Sequence, residues 1–345
     1  MAEPVPSTPP GVTLMRLIYG GYAFQTVRAL VELGIADAMD EAARSTSDLA
    51  GELGLHEPSL RRLLRAAATL EVVTSEGGDR FRLTPVGLRI RSQADGSLAA
   101  LARMFGSEHY HTAMRGLPDT VRTGKTALQT QFGVESAFEL YDREPEIAAV
   151  FDAGMTAMSN MNGPAVAGAY DFSRAGLCVD VGGGEGRLLC HILQAFPGPR
   201  GLLFDVPPVA AKAKTFIGRL GLAERCDVVG GDMFEAAPEG GDLYLMSAVI
   251  HDWEDAAAIR VLRACRRAMG ADARLLLVER VLEDEPAPTT TNQNHALSDL
   301  NMMVRTGGLE RTAGEFRSLL AQAGFEVTAV IPTASPRTII EARPV

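Results

Sequence analysis

Glycines and acids follow the first apolar runs in the second half of the chain. In Asp180-Val-Gly-Gly-Gly-Glu-Gly, Gly182 and Gly184 allow the backbone to turn tightly and to approach a ligand at a helix N-terminus. The dinucleotide fingerprint G-x-G-x-x-G would need glycine at position 187, where the chain has Arg187, so NAD fits poorly. Asp205, at the end of the next run, is placed for its carboxylate to accept hydrogen bonds from ribose hydroxyls.

Asp232 and Met233 follow the third apolar run. A carboxylate can accept a hydrogen bond from an adenine amino group, and a thioether can pack on the ring face, so this pair favours an adenosine-bearing ligand. Aspartate and glycine are also common turn residues at strand ends, which is the simpler interpretation of each acid alone. Asp180, Asp205 and Asp232 at three consecutive strand ends together predict a nucleoside site.

His251 comes just after the fourth apolar run and precedes Asp252 and the single tryptophan, Trp253. An imidazole titrates near neutrality and is suited to remove the proton of a phenol, whose pKa is about 10. The alternative is a surface or N-cap histidine before the helix predicted over Asp255–Ala268. The residues alone leave both interpretations open.

Short apolar runs alternate with helical stretches from about residue 176 onward. Continuous apolar strands separated by helices are what a parallel sheet covered on both faces requires. We therefore predict an α/β domain with a doubly wound, seven-stranded sheet whose last two strands form an antiparallel pair. The predicted strands are Leu177–Val181, Gly201–Val206, Cys226–Val229, Leu243–Ile250, Arg274–Glu279, Phe325–Ile331 and Arg337–Ala342.

The first 95 residues have the pattern of a winged helix. Apolar residues over Leu14–Leu33 recur at helical spacing, two short helix patterns follow, and runs from Leu70 and Phe81 flank a Gly-rich turn. Arginines at positions 61, 62 and 65 could read DNA, but a solvated helix face is the more common role of such residues. Residues 97–170 are helical in pattern and rich in methionine, which suits core packing or an adaptable pocket.

Composition narrows the possible partners and compartment. The 345 residues predict about two domains, and a formal charge of −10 opposes binding to phosphate backbones, so nucleic acid is not expected as a main partner. The four cysteines form no C-x-x-C pair and are expected to be core residues in a reducing compartment. Neither a secretion signal nor a membrane-spanning stretch is visible, so we expect a cytoplasmic protein without membrane contact.

Five motifs together resemble one enzyme family over nearly the whole chain. In order and at similar spacing, they resemble the S-adenosylmethionine-dependent small-molecule O-methyltransferases, which include plant caffeate and flavonoid enzymes and actinomycete polyketide and phenazine enzymes. The resemblance implies a class I methyltransferase fold with an N-terminal α-helical winged-helix dimerisation domain. The motifs are Asp180-Val-Gly-Gly-Gly-Glu-Gly, Phe204-Asp-Val-Pro-Pro-Val, Gly231-Asp-Met-Phe, His251-Asp-Trp-Glu-Asp and Gly307-Gly-Leu-Glu-Arg-Thr.

The resemblance also implies cofactor contacts. S-adenosyl-L-methionine, which becomes S-adenosyl-L-homocysteine, would be held by Gly182 and its neighbour Gly184 at the methionine end and by Asp205 at the ribose. Its adenine would meet two further residues, Asp232 and Met233. Where plant members carry a lysine, this chain has Ser247, as in bacterial relatives. Its hydroxyl or carbonyl is expected to contact the cofactor.

For catalysis, the resemblance implies His251 as the general base, with Glu279 and Glu310 orienting its ring. A carboxylate on one ring nitrogen fixes the tautomer and stabilises the imidazolium that forms. The alternative for each glutamate is a solvated strand end. Scattered histidines without a carboxylate cluster are usually not metal ligands, so no metal is predicted from His109, His111 or His295.

The family uses its N-terminal domain for dimerisation, so a homodimer is implied. The predicted division is 1–95 for dimerisation, 96–170 for a helical linker and pocket segment, and 171–345 for catalysis. The implied function is O-methylation of a small aromatic natural product, of phenol, polyketide or quinone type, in antibiotic or other secondary metabolism. The residues predicted to line the acceptor pocket are Met155, Met158, Asn162, Asn301 and Met302.

Two alternatives remain beside this prediction. Some bacterial relatives of the same fold methylate nitrogen or carbon, or perform hydroxylation or decarboxylation, and retention of His251 with both glutamates favours O-methylation. A winged-helix regulator that senses the cofactor is the alternative from another class, which the acidic charge disfavours. The motifs describe the cofactor half of the site, so they do not identify the acceptor or the position methylated.

Overall fold

The computed structural model describes residues 9–345, apart from the side chain of Phe138. The chain divides into two compact units. The first consists of the described residues up to Tyr110 together with Ala149–Ala157, and the second of His111–Ala148 with Met158–Val345. The division predicted from sequence, with boundaries near residues 95 and 170, stays a prediction.

The first unit contains the predicted helix-turn-helix and hairpin. Ser45 caps the first helix of the pair by accepting a hydrogen bond from the Asp48 amide, and left-handed Gly54 ends that helix. The hairpin strands pair antiparallel, Val73 opposite Leu83. The elements are α1 (Pro10–Ile18), α2 (Gly20–Glu32), α3 (Ile35–Ala38), β1 (Arg44–Ser45), α4 (Thr46–Leu53), α5 (Glu57–Thr69), β2 (Val73–Ser75), β3 (Arg80–Leu83), α6 (Pro85–Leu88) and α7 (Ala99–Gly106).

Two boundaries in this unit differ from the prediction. The helix predicted over Leu14–Leu33 is two helices, which meet at Tyr19 just before a pair of glycines. Glycine has little helix propensity, so an exposed break there costs little. The strand predicted from Leu70 begins only at Val73, because Glu71 adopts a left-handed backbone with φ of 59°.

Further helices follow, as the helical pattern of residues 97–170 predicted. The last of them is the longest helix in the described chain and contains Pro164. A single π-helical turn covers Leu128–Phe132. The helices are α8 (Glu108–Arg115), α9 (Leu117–Thr123), α10 (Ala137–Arg143) and α11 (Pro145–Ala169).

The second unit is built on the predicted seven-stranded sheet, which the described residues arrange in the order β11-β12-β8-β7-β4-β5-β6. Its strands are β4 (Leu177–Val181), β5 (Arg200–Asp205), β6 (Cys226–Gly230), β7 (Leu243–Ser247), β8 (Arg274–Glu279), β11 (Phe325–Pro332) and β12 (Thr338–Pro344). A small parallel pair joins β9 (Val281–Leu282) to β10 (Arg311–Thr312). The helices are α12 (Arg187–Ala195), α13 (Pro207–Arg219), α14 (Asp255–Ala268), α15 (Thr290–Arg305) and α16 (Ala313–Gln322).

Helices cover both faces of this sheet, as its apolar strands require. Leu262 of α14 and Phe316 of α16 belong to the buried cluster on one face, and Leu189 of α12 and Ile217 of α13 to the cluster on the other. The first five strands are parallel, and β12 and β11 run antiparallel to their neighbours. The chain reverses its direction of winding between β4 and β7, which is where such sheets bind ligands.

The strand predicted over Leu243–Ile250 ends earlier, at Ser247. Ala248 adopts a left-handed backbone with φ of 56°, which turns the chain away from the sheet. The residues after it form a short 3-10 turn over Ile250–Asp252 instead of continuing the strand. The shortened strand places His251 at the carboxyl edge.

Two further predictions concern the cysteines and membrane-spanning helices. All four cysteines are buried, as expected of core residues, and burial raises the pKa of the Cys265 thiol to about 12. Within residues 9–345, no helix is both long enough and apolar enough to cross a membrane.

Candidate active site

The glycine loop after β4 is tied to the end of β5. The amide of Gly184 donates to Oδ2 of Asp205 at 2.9 Å, and the amide of Val206 donates to Oδ1 at 2.7 Å. Gly184 has a left-handed backbone, and a Cβ built on it would meet nothing within 4 Å. Open space above a glycine next to a fixed carboxylate is what a ligand approaching the backbone would need.

Met233 lies beside the same loop. A Cβ built on Gly182 would lie 2.8 Å from Val249 Cγ2 and 3.8 Å from the sulfur of Met233, and its φ is 70°. Only glycine fits this position without strain. Asp232 accepts a hydrogen bond from the Phe234 amide at 2.9 Å. This contact is typical of a turn residue at a strand end, the simpler of the two roles considered for this acid.

Asp180, the first of the three strand-end acids that predicted a nucleoside site, is buried. Both of its carboxylate oxygens are buried with no hydrogen-bond partner among the described residues, and a Cβ on Gly183 would lie 2.7 Å from its carboxyl carbon. Burial, with a smaller contribution from the charge of Asp205, raises the pKa of Asp180 to about 7. This acid therefore lies directly under the glycine loop.

The turn that carries His251 is held by Glu279. Oε1 of this buried side chain accepts hydrogen bonds from the amides of Val249 at 3.1 Å and Ile250 at 2.9 Å. These bonds satisfy two amides that leave the sheet ladder where β7 ends. Ser247, the last residue of that strand, is half-buried beside Val278 of β8.

His251 is buried among three carboxylates. Its Nδ1 lies 3.2 Å from Oε1 of Glu310 and 3.7 Å from Oε2 of Glu279, and its Nε2 lies 3.8 Å from Oδ1 of Asp252. Burial alone would lower the pKa of His251, but these three acids outweigh it and the pKa is raised. The structure thus brings all three predicted catalytic residues together.

Glu310 is the closer partner of the imidazole. Its Oε1 also accepts a hydrogen bond from the Ser298 hydroxyl at 2.8 Å, and its own amide donates to Asp299 at 2.9 Å. Burial favours the neutral acid, but the hydrogen bond and charge of His251, with nearby arginines, lower the pKa of Glu310 to about 2. A carboxylate held ionised at Nδ1 selects the tautomer whose Nε2 is free to accept a proton.

The loop that carries Glu310 packs closely on the histidine turn. A Cβ on Gly308 would lie 2.1 Å from the His251 carbonyl oxygen, so the approach requires glycine. Arg311, only 1% exposed, donates to the carbonyls of Ile250 at 3.2 Å and Trp253 at 2.9 Å. Sequence reasoning missed Arg311, although it stands beside Glu310 in the Gly-Gly-Leu-Glu-Arg-Thr motif.

Three of the predicted site residues could geometrically hold a metal ion. One ligand atom each from His251, Glu279 and Glu310 lies within 4.8 Å of the others. Two guanidinium groups already oppose the acids: Arg337 Nη1 lies 3.2 Å from Glu279, and Arg280 Nη1 lies 3.5 Å from Glu310. This counter-charge supports the prediction that the cluster works without a metal.

The predicted pocket residues lie on two helices. Met155, Met158 and Asn162 are half-buried on α11, and Oδ1 of Asn162 is buried with no partner among the described residues. Asn301 is half-buried and Met302 is buried on α15. Their role toward an acceptor stays a prediction.

Comparison with known proteins identifies the family of this chain. An O-methyltransferase domain model matches residues 114–326, and an O-methyltransferase dimerisation domain model matches residues 15–89. The chain belongs to this O-methyltransferase family. The phenazine O-methyltransferase PhzM of Lysobacter antibioticus is 39% identical over 96% of each chain. The mitomycin biosynthesis 6-O-methyltransferase of Streptomyces lavendulae is 36% identical over 96% of this chain and 94% of that one.

Two solved structures align with nearly the whole chain. LaPhzM aligns with a TM-score of 0.88 at 38% identity, covering 98% of this chain and all of that one. Human N-acetylserotonin methyltransferase, solved in complex with S-adenosylmethionine, aligns with a TM-score of 0.87 at 26% identity over 99% of both chains. This chain is accordingly an S-adenosylmethionine-dependent O-methyltransferase, and the open glycine loop, the fixed Asp205 and neighbouring Met233 fit that cofactor.

Proposed function

We propose that this methyltransferase acts on a hydroxyl of a small aromatic natural product and that His251 is its general base. The observation that carries the proposal is the contact of Nδ1 with Glu310 at 3.2 Å, which leaves Nε2 as the proton acceptor. The names of the phenazine and mitomycin relatives support an aromatic acceptor for this chain as well.

The protein's own groups divide the work of proton transfer. Glu310 holds the ring so that Nε2 accepts the hydroxyl proton of the acceptor, and the negative charges of Glu279 and Glu310 stabilise the imidazolium that forms. A deprotonated oxygen is the better nucleophile for in-line displacement. Burial of the ring keeps competing water away from the base.

The cofactor, when bound, supplies a methyl group activated on a sulfonium. Gly182 and Gly184 are proposed to let the backbone meet its methionine end, and Asp205 its ribose hydroxyls. Asp232 and Met233 would meet the adenine, and Ser247 at the end of β7 would complete this side of the site. Holding donor and acceptor in line is itself a large part of the rate enhancement.

Replacing His251 tests this function. His251→Ala should lower kcat by about 10²- to 10⁴-fold with a phenol or hydroxyquinone acceptor. The affinity for S-adenosylmethionine, measured by calorimetry, should stay close to that of the wild type, since the proposed cofactor contacts are made by other residues. Unchanged turnover would remove the base assignment, and fragmentation of the methylated product distinguishes oxygen from nitrogen or carbon as acceptor.

We further propose a homodimer formed through the first unit. Helix α1 has no buried residue among those described, although it is apolar: Leu14, Leu17 and Ile18 are each 58% or more exposed. An exposed apolar helix that overlaps the start of the matched dimerisation domain suits a second copy of this chain.

Light scattering after size-exclusion chromatography tests the dimer. The wild type should elute at twice the mass of the chain, and Leu17→Glu with Ile18→Glu should shift it toward the monomer. Val121→Glu, at an exposed position of α9 outside the matched dimerisation domain, is the control that should leave the mass unchanged. A monomeric wild type would contradict the proposal.

A further inference from the structure

A buried arginine lies behind the glutamate that holds the histidine turn. Arg337 comes immediately before β12 and is 2% exposed. Its Nη1 lies 3.2 Å from Oε2 of Glu279, and the same oxygen lies 3.7 Å from Nδ1 of His251. One carboxylate oxygen is therefore shared between a guanidinium and the imidazole.

Arg280 makes the equivalent contact with the other glutamate. Its Nη1 lies 3.5 Å from Oε1 of Glu310, the atom that is 3.2 Å from Nδ1 of His251. Burial, together with the charge of Arg337, lowers the pKa of Arg280 to about 10, so its guanidinium remains charged at neutral pH. Each glutamate that faces the imidazole thus has a guanidinium beside it, buried at Arg337 and half-buried at Arg280.

The backbone of Arg337 is fixed by a turn of hydroxyl contacts. The Thr333 hydroxyl donates to the Arg337 carbonyl at 2.6 Å, and the Arg337 amide donates to the Ser335 hydroxyl at 3.2 Å. The turn links β11 to β12, far in sequence from the methyltransferase motifs. A buried cation at a fixed position suggests a defined electrostatic role.

The charges around His251 explain what that role would be. Asp252, Glu279 and Glu310 all favour the protonated ring, whereas a general base must be neutral before it accepts a proton. The opposing cations are Arg280 and Arg337, together with Arg305, whose charge acts on Asp252. Without these cations, the imidazole would hold its proton to higher pH.

We propose that Arg337 is a positioning residue that acts through Glu279, limiting how strongly the carboxylates favour protonated His251, with Arg280 acting in the same way through Glu310. This inference rests on the proposed role of His251 as general base. Arg337 needs no contact with acceptor or cofactor for this effect. Its removal should therefore change the pH dependence of turnover more than the affinity for either ligand.

The test is the pH profile of kcat/KM for Arg337→Gln. The acidic midpoint, which reports the neutral base in the free enzyme, should move upward by about one pH unit, and Arg337→Lys should restore it. Arg343→Gln removes an exposed arginine of β12, the strand that follows Arg337; Arg343 pairs with Glu326, and its removal should leave the midpoint unchanged.

A second readout follows the imidazole directly. NMR titration of protein labelled with ¹³C-histidine, with the His251 signal assigned by its loss in His251→Asn, should give the same upward displacement in Arg337→Gln. If the NMR midpoint of His251 in Arg337→Gln equals that of the wild type, the proposal is overturned. If His251→Asn instead retains turnover, the proposed function fails, while the titration still decides whether Arg337 acts on the ring.

A double variant protects the test against misfolding, because Arg337→Gln alone leaves Glu279 buried without its cation. In Glu279→Gln alone, the midpoint of His251 should lie below that of the wild type, because no carboxylate at position 279 then balances the charge of Arg337. Adding Arg337→Gln to it should raise the midpoint again by about one pH unit. Equal midpoints in the single and double variants would also overturn the proposal.

Discussion

The two glutamates beside His251 contact the histidine turn in different ways. Glu279 binds the backbone of the turn through two amides and meets Arg337, whereas Glu310 contacts the ring nitrogen at hydrogen-bond distance. Sequence reasoning assigned both to orienting the ring. The contacts suggest that Glu279 mainly builds the turn and that Glu310 mainly sets the tautomer.

Glu310→Gln should separate these roles. An amide at this position can donate to Nδ1 and so favours the wrong tautomer, which should lower kcat by about 10²-fold or more. Steady-state kinetics at saturating acceptor and cofactor measure the effect. Glu326→Gln, at an exposed glutamate paired with Arg343, is the matched control. A kcat for Glu310→Gln close to that of the wild type would argue against its orienting role.

Glu279→Gln should act mainly on stability. The change leaves Arg337 buried without its anion and weakens the acceptor of two turn amides, so we expect the free energy of unfolding to fall by about 3 kcal/mol. Urea denaturation at a fixed protein concentration measures it. The same experiment on Glu326→Gln should give a change within about 0.5 kcal/mol. An equally small loss for Glu279→Gln would mean that its buried contacts are replaced by others.

The strands of the second unit were predictable because each is a short apolar run that ends in a distinctive loop. The turn after β7 was not, since Val249 and Ile250 are as apolar as the strand before them. They leave the sheet because Glu279 accepts their amides, a contact between residues about thirty positions apart that local pattern does not encode. The break in the first helix was missed for a related reason, because apolar spacing continues across Tyr19.

The site residues that belong to a motif could be predicted from the sequence, and the others could not. His251 and Glu310 each stand in a short signature, so the resemblance located them, and the structure brings them together. Arg280 and Arg337 stand in no signature, and each pairs with an acid that is distant in the sequence, which one sequence does not reveal. Charged residues are rarely buried unless paired, so composition alone predicts them at the surface.

The close packing of the Glu310 loop on the histidine turn gives a prediction at Gly308. Gly308→Ala places a methyl group 2.1 Å from the His251 carbonyl oxygen, so one of the two loops must move. We expect a loss of stability of about 1–3 kcal/mol and a lower kcat. Gly314→Ala in α16 is the control, since its Cβ would meet only the Thr312 hydroxyl at 3.7 Å. Equal activity and stability in the two variants would contradict the packing argument.

Two buried acids should shape the stability of the entire chain in opposite directions with pH. The pKa of Glu310 is lowered to about 2, so its contribution is present above the ordinary value of 4.5 and is lost as pH falls toward 2. The pKa of Asp180 is raised from 3.8 to about 7, so its contribution is present below 3.8 and is lost as pH rises through 7. Asp180 thus opposes stability at the pH where the enzyme is expected to work.

Asp180→Asn should therefore flatten the dependence of stability on pH. An amide of the same shape does not ionise, so the part of the wild-type decline between about pH 5 and 8 that Asp180 causes, on the order of 2–3 kcal/mol, should disappear. Urea denaturation without added cofactor at several pH values, at one protein concentration, measures it. Asp227→Asn, at an exposed position of β6, should follow the wild-type curve. If Asp180→Asn also follows that curve, Asp180 is ionised in the folded protein across this range, and the effect inferred from its burial is wrong.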